Sequence, residues 1–187
     1  MKKQYFIQFS DQSAQLDFLI PKDTFKVMNI GIQDIDTDFL YPIIQSMFNF
    51  PLFFVVTSDL FEDFTVSALE WDIPYYRHSS TGINIRVDDE TTLKKLCSHA
   101  VILALSGMEI FILTGRELSE TNLLPTTTSK GLVEFKNVGI QNVHSIIIVN
   151  EVGLTLYSRD TNEYSFKKLK RSIPEDYLFD LDGSTLN

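Results

Sequence analysis

The sequence predicts an α+β domain in which a mostly antiparallel sheet is covered by two main helices and completed by a C-terminal β-meander. Three observations lead there. Short runs rich in β-branched and aromatic residues recur along the chain, two longer segments switch to helical spacing, and the last third breaks into brief strand-like runs separated by turn residues. A length of 187 residues suits one domain spanning 1–187, and 44% hydrophobic residues with 15 Phe supply a core without disulfides or metals.

The elements follow in order. Residues 4–9 (QYFIQF) and 24–32 (TFKVMNIGI) read as strands. From 37 to 49 the period changes: Phe39, Leu40, Ile43, Ile44, Met47 and Phe48 recur at helical spacing, Asp36 or Asp38 can cap the start, and Pro42 is acceptable in a first turn. The run PLFFVVTS that follows is apolar at nearly every position, as a strand buried on both faces requires. INIRVDD (83–89) is a further strand. Residues 89–106 form the clearest helix, with Leu93, Leu96, Cys97, Ala100, Val101 and Ala104 on one stripe, acidic residues at its start and Gly107 as its C-cap. EIFILTG (109–115) is another buried strand.

The segments 52–63 and 109–120 align at an offset of 57 residues, matching Phe54 to Phe111 and Thr57 to Thr114. An internal duplication would produce this, and so would two unrelated helix–strand units that bury similar faces. Residues 119–131 are polar, with Pro and Gly, and read as a mobile loop. LVEFKN, HSIIIVN, GLTLYSR and EYSFKKL are the strands of the predicted meander. The tail at 183–187 is expected to fray.

Composition excludes several functions. No run approaches the roughly 20 apolar residues of a membrane helix, and the N-terminus lacks a secretory pattern, so a soluble cytoplasmic protein with no membrane partner is expected. The single Cys97 forbids an internal disulfide and multi-Cys metal sites, and its place on an apolar stripe keeps the thiol protonated. A balance of 25 acidic against 16 basic residues, net −9, repels nucleic acid and attracts a basic partner.

No phosphate-binding glycine loop, metalloprotease helix, nucleophile elbow or C-x-x-C motif is present, and no cofactor is expected. FDLDGSTL (179–186) resembles the opening motif of haloacid-dehalogenase phosphatases. In that family the remaining catalytic residues come from the chain that follows the motif, whereas only five residues follow Asp182. Asp180 and Asp182 therefore read as an acidic tail. KKLKR (167–171) reads as a solvated face, and His99 as a histidine beside the apolar stripe of its helix.

The segment 70–82, EWDIPYYRHSSTG, concentrates the only Trp with two adjacent Tyr between carboxylates. Such amphipathic aromatics are enriched where proteins meet partners, although Trp71 and one Tyr can equally plug the core. The candidate partner-binding residues are Glu70, Trp71, Asp72, Tyr75 and Tyr76, with Asp59, Glu62 and Asp63 nearby in sequence.

Residues 145–166, SIIIVNEVGLTLYSRDTNEYSF, resemble the C-terminal hairpin of a bacterial domain family of unknown function, in which an apolar strand ending in Asn leads through a turn to a Tyr and an acidic turn. That family's Asp-Asp-Arg-Gly turn is here SRDTNE. In size, charge and style the chain also resembles the acidic immunity proteins that bacteria carry beside interbacterial toxins, including those of contact-dependent growth inhibition. This resemblance implies a non-enzymatic protein that neutralises a cognate basic toxin by occluding its active site. An enzyme whose site is assembled from dispersed residues and a regulatory or scaffold module are the alternatives. A toxin reading frame immediately upstream favours the first, and a metabolic operon the second.

Overall fold

In the computed structural model the residues described are 3–10, 26–32, 35–57, 61–79, 82–123, 125–127, 133–135, 142–151, 153–159, 171–173 and 177–181. Among these residues nine strands make one sheet: β1 (Lys3–Ser10), β2 (Lys26–Ile32), β3 (Leu52–Thr57), β4 (Tyr76–Ser79), β5 (Gly82–Val87), β6 (Ile110–Gly115), β9 (Val143–Asn150), β10 (Gly153–Ser158) and β11 (Tyr177–Leu181). Their order is β11-β1-β2-β10-β9-β6-β3-β5-β4, antiparallel throughout except where β11 lies parallel to β1. The predicted α+β class is therefore the observed one.

The two predicted helices are present as α1 (Thr37–Met47) and α3 (Glu90–Leu105). Asp36 caps α1, its carboxylate accepting the Phe39 N–H at 2.8 Å. Because the helix starts at Thr37, Pro42 lies in the second turn, not the first, and the Asp38 carbonyl loses its intrahelical donor. Asp38 is exposed, so water can replace that bond. At the far end of α3, Gly107 adopts φ +81, its N–H donates to the Ala104 carbonyl, and the Met108 N–H reaches the Leu103 carbonyl. That pair of bonds is a Schellman motif, completed by burial of Leu103 and Met108. Thr37 and Ser98, 3.3 Å apart, tie α1 to α3.

The core has two halves, one on each face of the sheet. Phe54, Val56, Ile85, Ile110 and Ile112 meet the α1 and α3 stripes, including Phe39, Ile43, Leu96 and Ala100. Leu96, Ala100, Val55 and Ile112 are fully inaccessible, and Val101 is 7% exposed. On the other face Phe53, Val55, Phe111, Leu113, Ile146 and Ile148 form a second cluster with Tyr157, Leu118 and Leu123. Burial on both faces, as β3 and β6 show, is what their unbroken apolar sequences require.

This two-sidedness bears on the 57-residue offset. Phe54 belongs to the helix-side cluster and Phe111 to the opposite one, and in the sheet Phe54 stands beside Ile112 while Phe111 stands beside Val55. Since side chains alternate faces, the offset superposes residues with opposite orientation. The similarity is therefore that of two buried strands, not of equivalent positions.

Three features depart from the sequence pattern. A third helix, α2 (Phe61–Glu70), is absent from the sequence prediction, although Phe61, Phe64 and Ala68 recur in it at helical spacing. Val66 and Leu69, 62% and 64% exposed, are apolar residues off that stripe and blur it. Pro125–Thr127 (β7), within the stretch read as a loop, pairs with Val133–Phe135 (β8) in a separate two-stranded ribbon. Of the predicted meander, β9 and β10 form the central hairpin, β10 then pairs with β2, and residues 161–170 lie outside the described set. Gly153 at that turn has φ +138, and a Cβ there would collide with the Ile30 carbonyl of β2. Asp180 lies within β11, and Asp182 is outside the described residues.

Candidate functional site

The Tyr-rich segment links α2 to the sheet. At the end of α2 the Trp71 N–H donates to the Ser67 carbonyl at 3.0 Å, Asp72 turns with φ +54, and the Ile73 N–H returns to the Ala68 carbonyl at 2.8 Å. These bonds fold the chain back and bury Ile73, so Pro74, Tyr75 and Tyr76 emerge beside the sheet edge. Tyr76 then opens β4, pairing with Asn84 of β5.

Tyr75 and Tyr76 line a groove of about 490 Å³ with Ile73 and Pro74. Its opposite wall is charged and comes from three places: Arg86 on β5, Asp88 and Asp89 at the start of α3, and Glu120 from the segment after β6. Arg86 Nε donates to both Asp88 oxygens, at 2.9 and 3.0 Å. Their side chains are 46% and 59% exposed, so solvent screens the pair and its net contribution to stability is small. Asp89 accepts the Thr92 backbone N–H at 2.9 Å and its hydroxyl at 2.8 Å, capping α3. These bonds, the backbone one foremost, hold the Asp89 carboxyl below its ordinary range, so it stays anionic.

Asn84 fixes the Glu120 wall. It is fully buried, and its amide nitrogen donates to the Glu120 carbonyl at 2.7 Å and also to that of Leu123. Asn122 braces the same segment, accepting from the Ser119 N–H and donating to the Glu117 carbonyl, both at 2.9 Å. Gly115 permits the close approach behind it, where the Arg116 N–H meets the Asn142 carbonyl at 2.8 Å; a Cβ on Gly115 would strike that carbonyl and Leu118. Leu118 and Leu123 can therefore cover the second core while Glu120 faces the groove.

Of the predicted residues that are described, the structure brings Tyr75 and Tyr76 together in the groove, and Glu70, Trp71 and Asp72 are not among its lining. Tyr75 is half-buried against the helix-side core, and Tyr76 is 38% exposed. Trp71 is also half-buried on that core, and its ring meets His99 edge-on at 5.7 Å with an interplanar angle of 88°. Ser67 of α2 lies 3.3 Å from the His99 ring nitrogens, so Trp71 joins α2 to α3. Glu70 and Asp72 are exposed beside it. Glu62 and Asp63 fall in the first half of α2, where side chains are not described, and Asp59 lies outside the described residues.

Sequence reasoning missed Arg86, Asp88, Asp89 and Glu120 as groove residues. The RVDDE run is a visible signal, but its acids also announce a helix start, and nothing in sequence brings Glu120 beside them. A second cavity of about 490 Å³ lies along α1 and α3, where Lys94 Nζ sits 6.0 Å from the Tyr41 ring centre; it holds none of the predicted residues. Cys97 is buried, and burial raises its thiol far above the ordinary value. Among the described residues no three His, Cys, Asp or Glu side chains are placed to hold a metal ion, and no helix is long and apolar enough to cross a membrane. No protein-family model, curated protein or solved structure matches the chain.

Proposed function

We propose that the chain is a non-enzymatic binding protein that neutralises a basic toxin domain by covering its active site, with the Tyr75–Tyr76 groove as the contact. One observation carries this reading. The two tyrosines stand against a wall of three carboxylates, Asp88, Asp89 and Glu120, and among the described residues of the lining Arg86 is the single cation. Aromatic anchors hold a protein complex, and the carboxylates around them speed encounter with a cationic partner. The net charge of −9 extends that field over the molecule. A toxin that acts on nucleic acid needs a basic surface, and an acidic inhibitor uses the same surface.

In this reading the anchors are Tyr75 and Tyr76, with Trp71 in a supporting role between α2 and α3. Titration calorimetry and stopped-flow binding with a basic toxin encoded beside this chain test the reading. Tyr76→Ala should fold normally and lose about 2 kcal/mol, roughly thirtyfold in affinity; Tyr75→Ala should lose a similar amount. Asp88→Asn and Glu120→Gln should chiefly lower the association rate and its salt dependence. Both tyrosine variants binding as tightly as the parent would overturn it.

A further inference from the structure

The second cavity, along the seam of α1 and α3, has the opposite chemistry to the tyrosine groove. Among the described residues it is lined by Tyr41 of α1 with Glu90, Thr91, Lys94, Lys95 and Ser98 of α3, and the groove shares none of them. Two ammonium groups and four hydroxyl-bearing or carboxylate side chains thus meet in one place, and only one of them is an acid. In a chain of net charge −9 this is a local excess of positive charge and of hydrogen-bond donors.

Those donors are not spent on one another. Glu90 and Lys94 are four residues apart on α3, the spacing of a helical ion pair. Even so, among the described residues neither lysine of the cavity lies within ion-pair distance of a carboxylate, and Lys94 Nζ sits 6.0 Å from the Tyr41 ring centre, at the outer range of a cation–π contact. Thr37 Oγ1 donates to Ser98 Oγ at 3.3 Å, so the Ser98 hydroxyl keeps its own proton for another acceptor. Tyr41 is half-buried against the helix-side core. Burial foremost, and then the charge of Glu90, raises its hydroxyl above the ordinary value, so it remains a donor.

We propose that this cavity binds a small organic phosphate monoester. Its volume of about 490 Å³ falls among small-molecule sites and exceeds what phosphate alone requires. A phosphate monoester brings nearly two negative charges at pH 7 and three acceptor oxygens, a match for Lys94, Lys95 and the Ser98 hydroxyl, while the Tyr41 ring offers an apolar wall to the organic part. A singly charged carboxylate leaves one lysine unmatched. Side chains and not helix amides do the holding, because Asp89 already takes the Thr92 N–H at the start of α3. Glu90 opposes the anion and limits its affinity. The site stands apart from the reading of the tyrosine groove, and either can fail without the other.

Calorimetry and amide chemical-shift mapping on the full chain at low ionic strength test it with three probes: phenyl phosphate, inorganic phosphate and benzoate. Phenyl phosphate should saturate, with shifts centred on Tyr41 and residues 90–98, and benzoate should bind about fivefold more weakly, the scale of one exposed charge contact. Lys94→Gln and Lys95→Gln should each weaken phenyl phosphate by about the same factor. Both side chains are exposed, so thermal midpoints should confirm that the variants fold. Glu90→Gln should strengthen binding, and by more than Glu120→Gln, which removes the same charge from the separate groove. Binding that does not saturate, or that is unchanged when both lysines are replaced by Gln, would overturn the proposal. Benzoate binding as tightly as phenyl phosphate would overturn the choice of a phosphate, and inorganic phosphate binding as tightly would overturn the organic part and assign the cavity to phosphate itself.

Discussion

Strands β3 and β5 are neighbours in one sheet, yet they meet opposite environments. Every described side chain of β3 from Leu52 to Val56 is buried, alternating between the helix-side core and the second cluster. In β5 the helix-side residues Ile83, Ile85 and Val87 are just as deeply buried, but the alternate positions are Asn84 and the exposed Arg86. One strand step thus separates a two-faced core from a one-faced one. The segment 118–123 makes the difference: its leucines roof β3 and β6, Asn84 pins its far end, and beyond Asn84 the open face becomes the groove. The boundary of the core and the wall of the candidate site are the same residues.

The largest expected effect tests whether the second face is a core of equal standing. Phe53→Ala and Phe54→Ala delete inaccessible rings on opposite faces of β3. Each should cost about 3–5 kcal/mol in denaturant unfolding, a large share of the roughly 5–15 kcal/mol that holds a domain together. A Phe53→Ala cost below about 1 kcal/mol, typical of surface sites, would mean that the 118–123 roof is loosely held and the two faces are unequal.

A smaller effect is expected at the boundary itself. Asn84→Ala removes the donor shared by the Glu120 and Leu123 carbonyls. Leaving such buried acceptors unpaired costs about 1–3 kcal/mol. Amide exchange should quicken in 118–123 while β3 and β6 keep their protection. Uniform acceleration across the sheet would show that Asn84 supports the whole fold and not the roof alone.

The same contrast explains what was legible in the sequence. Runs such as LFFVV and IFIL declare strands buried on both sides, and the α1 and α3 stripes and caps are local patterns, so the class, the two main helices and the core positions could be read directly. Helix α2 was missed although Phe61, Phe64 and Ala68 keep helical spacing, because the outward Val66 and Leu69 blur that stripe. The groove was half legible. Tyr75 and Tyr76 stand out by type, but their partners come from β5, the start of α3 and the segment after β6, and only pairing across β3, β5 and β6 gathers them. Trp71 stood out equally and faces His99 instead, because residue type marks an amphipathic side chain without saying which surface it joins.

The smallest expected effect concerns Asp89, which serves both the fold and the groove. Its carboxyl caps α3 through Thr92 and is held below the ordinary carboxylate range chiefly by the Thr92 N–H. A carboxylate whose folded value is depressed contributes stability that is complete above the unfolded Asp pKa of about 3.9 and fades as the pH falls through the lower folded value. Asp89→Asn retains a good cap without a titrating charge, whereas Asp89→Ala loses the cap. At pH 7 thermal midpoints should rank the parent at or just above the Asn variant, with the Ala variant lowest, and the gap between parent and Asn variant should shrink below about pH 4. A gap unchanged from pH 7 to pH 3 would show that the charge of Asp89 adds nothing to its cap. Because the Asn variant keeps the helix start intact, any slower association it shows with a basic partner at pH 7 belongs to the groove, which separates the two roles of one carboxylate.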